Sequence, residues 1–111
     1  MDYRIIETLA LIKTNFPQPL STHKLAESAN LSVSHIQHLF KREVGVSIKQ
    51  YVKGMQLQKA KILLETTNLR IKEVCFEIGF YDNAQFVRDF KKNFGLYPTA
   101  YRNNFRTLST K

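Results

Sequence analysis

Ser32–Gly45 reads SVSHIQHLFKREVG, and fifty residues later Asp82–Gly95 reads DNAQFVRDFKKNFG. Laid one on the other, they pair a capping residue with a capping residue (Ser32, Asp82), Ile36 with Phe86, Phe40 with Phe90, Lys41 with Lys91, Arg42 with Lys92 and Gly45 with Gly95. Each has apolar residues at helical spacing, a polar stripe on the other side, and a glycine where a left-handed residue ends a helix. In front of each lies a shorter amphipathic segment. Leu25-Ala26 falls on Val74-Cys75 and Asn30-Leu31 on Gly79-Phe80, one residue out of step, so the second turn carries one extra residue. Short helix, tight turn and amphipathic helix form the helix-turn-helix plan. It needs a small residue where the helices cross (Ala26, Cys75), a turn residue about four later (Asn30, Gly79) and an apolar anchor in the second helix (Ile36, Phe86). One match is a moderate signal; two in register are a strong one.

Between the copies stands Ser47–Thr66, SIKQYVKGMQLQKAKILLET. Its apolar residues Ile48, Tyr51, Val52, Met55, Ala60, Ile62, Leu63 and Leu64 recur at roughly helical spacing, which predicts a single helix about 30 Å long. Gly54 interrupts it, at about 1 kcal/mol relative to alanine if exposed. It reads as a site of close helix packing in preference to a hinge. Outward from there, Asp2–Asn15 is a helix with Ile5, Leu9, Ile12 and then Phe16 inward, ended by Phe-Pro-Gln-Pro at 16–19. Ser21 caps a short helix through about Ser28. After the link 67–69, Arg70 to about Ile78 is another short helix. Pro98 stands at or just before the first turn of a last helix, about Thr99–Phe105, with 107–111 a frayed tail. The expected fold is all-α, about seven helices: a first helix-turn-helix subdomain over 1–46, a linker helix over 47–66, a second subdomain over 67–106 and the tail.

The chain has 111 residues, one domain's worth, with 17 Lys and Arg against 9 Asp and Glu, a formal charge of +8. A charge this large on so short a chain favours a polyanionic partner. Cys75 is the single cysteine, so no intramolecular disulfide can form, and its apolar neighbours Val74 and Phe76 mark it as a core residue. No secretory leader and no membrane-length apolar run stand out, so the expected location is cytoplasmic. His23, His35 and His38 have no carboxylate or second cysteine at ligand spacing. No nucleophile is paired with a base at motif spacing. The expectation is a protein that is not an enzyme, with no metal and no cofactor.

Leu25-Ala26, Ser32–Gly45, Ala60–Leu64 and above all Ile78-Gly79-Phe80 through Phe86, Phe90-Lys91-Lys92, Phe94-Gly95, Pro98 and Tyr101-Arg102 resemble the DNA-binding domain of the AraC/XylS transcription regulators. The resemblance covers about Ile5 to Arg106. It implies a seven-helix domain with two helix-turn-helix subdomains bridged by a long helix, acting on transcription. The implied partner is double-stranded DNA, with RNA polymerase a further candidate. The domain is expected to be monomeric on DNA, any effector-binding or dimerisation domain lying outside this chain.

A bridging helix of about 30 Å is close to the roughly 34 Å that separates successive major grooves on one face of B-DNA. One chain could therefore read two grooves with its recognition helices, about 33–44 and 83–94. The site would be asymmetric and about 20 base pairs long. In the first helix Ser34, Gln37, His38 and Lys41 share a stripe. Ser34, Gln37 and His38 are candidate base contacts, Gln37 through a two-point amide pairing with adenine. In the second, the matching positions are Ala84, Val87, Arg88 and Lys91. Arg88 suits guanine, Ala84 and Val87 a thymine methyl. Members of the family place base contacts at positions matching 83 to 85 and 88, which adds Asn83 and Gln85. Candidate phosphate contacts are Ser32, Lys41, Arg42, Lys91, Lys92, Thr99 and Arg102. A module of the same plan used for protein–protein interaction is the alternative.

Overall fold

The structure, a computed structural model, describes residues 1–18 and 20–109. Pro19 and positions 110–111, the ends of the expected Phe-Pro-Gln-Pro break and tail, lie outside the described residues. Those residues form seven helices: α1 Tyr3–Asn15, α2 Thr22–Ser28, α3 Val33–Val44, α4 Ile48–Thr66, α5 Ile71–Glu77, α6 Asn83–Phe94 and α7 Pro98–Ser109. The chain divides into two compact units, Met1–Gly54 and Met55–Lys111, with the boundary inside α4.

In the first unit α1, α2 and α3 each start on a side-chain cap. Asp2 accepts from the Arg4 amide, Ser21 from Lys24 and Ser32 from His35, each supplying an acceptor for an amide with no partner inside its helix. The Arg4 guanidinium also forks onto both Asp2 oxygens, at 3.2 and 3.0 Å, and holds that carboxyl down at about 2. Asn30 adopts a left-handed φ of 56° between α2 and α3. That conformation is open to asparagine and closed to most larger residues. Ile5, Ile12, Leu25, Ala26, Ile36, Leu39, Phe40 and Ile48 are buried. Thr8 is buried where the α1 pattern suggested Leu9, which is half-buried; the Thr8 hydroxyl donates to the Arg4 carbonyl and so brings no unsatisfied group inside.

The second unit packs the rest of α4 with α5, α6 and α7 around Leu57, Ala60, Leu64, Val74, Cys75, Ile78, Phe86 and Phe90. Aromatic rings dominate it: Phe90 lies 5.8 Å from Phe86, 4.6 Å from Phe94 and 5.6 Å from Tyr101, centre to centre. Gln56, also buried, donates from Nε2 to the carbonyls of Ile78 and Gly79, satisfying the helix-turn-helix turn from the side of α4. The stripe expected for α4 is rotated. Gln56, Leu57, Ala60 and Leu64 face inward, whereas Ile62, two residues from Ala60 and from Leu64 and so about 200° round the helix from each, is exposed. α7 starts at Pro98 and runs on through Ser109. Residues 107–109, assigned to a tail by sequence, are thus helical.

Candidate nucleic-acid interface

Both amphipathic helices are bounded by the same two devices. Ser32 and Asp82 cap the starts, and Gly45 and Gly95 close the ends at φ of 94° and 83°. Between them the burial pattern repeats. Ile36 and Phe40 point into the first core, Phe86 and Phe90 into the second. The face opposite is polar, and most of the candidate contact residues stand on it.

In the first unit Ser34, Gln37, His38, Lys41 and Arg42 are all exposed on α3. Gln37, His38 and Lys41 line a surface groove of about 350 Å³ together with Thr22, Ser47, Ile48 and Lys49. The groove includes the start of α4, where Ser47 and Gln50 cap one another: the Ser47 amide donates to Oε1 of Gln50, and the Gln50 amide to Oγ of Ser47, both at 3.1 Å. Two lysines, an imidazole and the positive end of a helix therefore surround one hollow. Ser32 is exposed, its hydroxyl oxygen accepting the His35 amide at 3.1 Å.

In the second unit Asn83, Ala84, Arg88, Lys91 and Lys92 are exposed on α6, and Thr99 on the first turn of α7. Lys91 is held at the end of its helix: Nζ donates to the Gly95 carbonyl at 3.2 Å and sits 5.1 Å from the centre of the Tyr97 ring. Gln85 is half-buried. Its amide nitrogen donates to Asp89 Oδ1 at 3.0 Å, and its amide oxygen accepts from Arg88 Nη2 at 2.9 Å. Two residues differ from their sequence reading. Val87 packs against the core of the second unit instead of standing in the exposed stripe. Arg102 is drawn inward: its Nε donates to the Leu64 carbonyl at 3.1 Å, and burial, with Arg106 nearby, pushes its pKa down. An arginine so placed ties α7 to α4 through Nε, while its Nη2 is buried away from the surface that a phosphate would approach.

The repeat also extends further than Gly45 and Gly95. In the same register Ile48 falls on Pro98, both buried, and Tyr51 on Tyr101. Tyr51 meets Phe40 edge-on at 5.8 Å, and Tyr101 meets Phe90 edge-on at 5.6 Å. Each unit thus carries the helix-turn-helix plus the first turn of a following helix. The same register puts Lys49 in the place of Thr99. Carrying the fifty-residue offset a few positions further along the sequence finds it.

Residues 25–104 match a family model described as a helix-turn-helix domain. Over 95 residues, 86% of this chain and 30% of the relative, the chain is 38% identical to the uncharacterized HTH-type transcriptional regulator YfiF of Bacillus subtilis. Over 103 residues, 92% of this chain and 35% of the relative, it is 32% identical to the arabinose operon regulatory protein of Escherichia coli.

The chain belongs to the AraC/XylS family, as its DNA-binding domain.

It spans about a third of the length of these curated relatives. Its fold is also that of the DNA-binding domain of AdpA, a global transcriptional factor solved with a target DNA. The likeness has a TM-score of 0.89 at 23% identity and covers 99% of both chains. Family members and this chain share the all-helical, two-fold repeated plan. Among the described residues no group of three or more His, Cys, Asp or Glu could hold a metal ion, and no helix is long and apolar enough to cross a membrane.

Proposed function

We propose that this domain binds double-stranded DNA in a sequence-specific manner, with α3 and α6 in successive major grooves on one face of an asymmetric site, and regulates transcription from it. The observation that carries the proposal is the repeated face. In each unit a helix bounded by a cap and a left-handed glycine turns two aromatic or branched anchors inward and basic or amide side chains outward. AdpA, whose domain has this fold, was solved on its target DNA. α4 is the spacer in this reading, at about 1.5 Å per residue.

Ser34, Gln37 and His38 are the proposed base contacts of the first half, and Asn83, Ala84 and Arg88 those of the second. Ser32, Lys41, Arg42, Lys91, Lys92 and Thr99 are the proposed phosphate contacts, joined by Lys49 from the groove beside α3. One sequence-selected phosphate contact, Arg102, becomes a brace between α7 and α4. RNA polymerase is a proposed second partner, reached by surfaces other than α3 and α6.

Titration of a duplex by mobility shift across a salt series tests the proposal. Neutralising about six phosphates gives a slope of log K against log salt near −5. A slope near zero would refute it. A specific observation also keeps protein contact in view: Phe76 and Tyr81, both in the second helix-turn-helix, are 76% and 80% exposed. Failure to bind any duplex at low salt would favour that reading.

A further inference from the structure

The fifty-residue register sets Leu39 against Asp89. Leu39 is 3% exposed and belongs to the apolar core of the first unit; Asp89, at the same place on α6, is 8% exposed. A carboxylate in a position that the fold elsewhere fills with leucine is strongly unfavourable unless donors meet it. One that does is Gln85, a turn earlier, whose Nε2 lies 3.0 Å from Oδ1. A carboxamide has one donating and one accepting end. With its nitrogen held by the carboxylate, its oxygen is turned the other way, toward Arg88, whose Nη2 donates to it at 2.9 Å. Carboxylate, amide and guanidinium form a chain along α6, from the core to the exposed face. The first unit cannot build one, since Leu39 offers no acceptor and the positions of Gln85 and Arg88 hold His35 and His38.

We infer that Asp89 is a positioning residue: acting through Gln85, it fixes the orientation in which Arg88 presents its guanidinium to a base pair. The inference rests on the proposed placement of α6 in a major groove. An exposed arginine otherwise samples many rotamers, and ordering it on binding opposes affinity; holding it beforehand reduces that penalty for the one base edge that matches the fork. The second half-site is thereby read sharply at one base pair, and Gln85 serves as the bridge that holds the reader, in place of the base contact its position suggested.

The test uses the 111-residue chain and duplexes selected from a random pool by the wild-type protein. Arg88→Ala identifies the base pair whose preference depends on Arg88. Gln85→Met keeps the length of the side chain and removes both hydrogen bonds; it lies largely outside the core and should fold. It is expected to lower the preference at that same base pair about tenfold, leaving the salt slope unchanged. Asp89→Leu, which places the residue of the matching position in α3 there and leaves Gln85 Nε2 no acceptor, should do the same. Combining Asp89→Asn with Gln85→Glu should keep the wild-type preference, because the new amide at position 89 can donate to the new carboxylate at position 85, which still accepts from Arg88. Wild-type preference at that base pair in Gln85→Met overturns the inference, as does a loss confined to a different base pair, which would make Gln85 a reader itself. If Arg88→Ala leaves every base preference intact, the placement of Arg88 in the groove fails first, and the inference with it.

Discussion

Gly54 lies inside α4, at the boundary between the two compact units, and is exposed. A Cβ built on it meets nothing within 4 Å, and its φ is outside the left-handed range. The close-packing role suggested by sequence therefore has no neighbour to support it. Gly54→Ala should gain the full difference in helix propensity, about 0.8–1 kcal/mol, since no clash and no backbone strain offset it. For a chain of 111 residues, at about 2.1 cal/mol/K of unfolding entropy per residue, that raises Tm by about 3–4 °C. Thermal unfolding followed by circular dichroism measures this directly. A lower Tm would refute the open-space reading of the glycine. The same variant also tests whether α4 is a spacer. If it is, affinity for a selected two-half-site duplex should be unchanged or slightly tighter, whereas a hinge would show a loss confined to duplexes carrying both half-motifs.

Phe90→Ala removes a fully buried ring that touches Phe86, Phe94 and Tyr101 and should cost about 3–5 kcal/mol in urea unfolding. Phe76→Ala, on the exposed surface, should stay within about 0.5 kcal/mol. Burial pushes the Cys75 thiol from 9.0 up to about 11, and burial with a hydrogen bond to Glu65 pushes the Tyr101 hydroxyl from 10.0 up to about 12. The folded chain keeps protons that the unfolded chain has released, so stability should fall as pH rises from about 9 to about 12. Melting temperatures between about pH 8 and 11 should fall less steeply in Tyr101→Phe with Cys75→Ala. Lys49→Ala should weaken binding by a similar factor on every duplex and reduce the magnitude of the salt slope by about one; a change in base preference would contradict its assignment to phosphate.

The helices that carry the interface were legible because their ends are written locally. Ser32 and Asp82 have the side-chain acceptors that begin a helix, and Gly45 and Gly95 the freedom to end one, so α3 and α6 begin and end where sequence sets them. α7 was read as too short for the converse reason: Arg106, Thr107 and Leu108 include no breaker, and polarity alone does not stop a helix. The inward face of α4 was blurred by counting apolar residues without their angle. Gln56 entered the core because two turn carbonyls needed a donor, and Ile62 was left outside by its angle. Arg102 carries the right charge for a phosphate, and only the fold reveals that the Leu64 carbonyl has taken it. Asp89 is the least legible of all. In a string of letters it is one more polar residue on an amphipathic helix, and its meaning depends on the buried register it shares with Leu39.

The central claim is that one chain reads two unlike half-sites in successive grooves. Selection of bound sequences from a random duplex pool, with the protein-to-duplex ratio measured on the winners, tests it most directly. One chain per duplex on an asymmetric consensus of about 20 base pairs, its two different motifs centred about 10–10.5 base pairs apart, is the predicted result. A palindromic consensus occupied by two chains would contradict it.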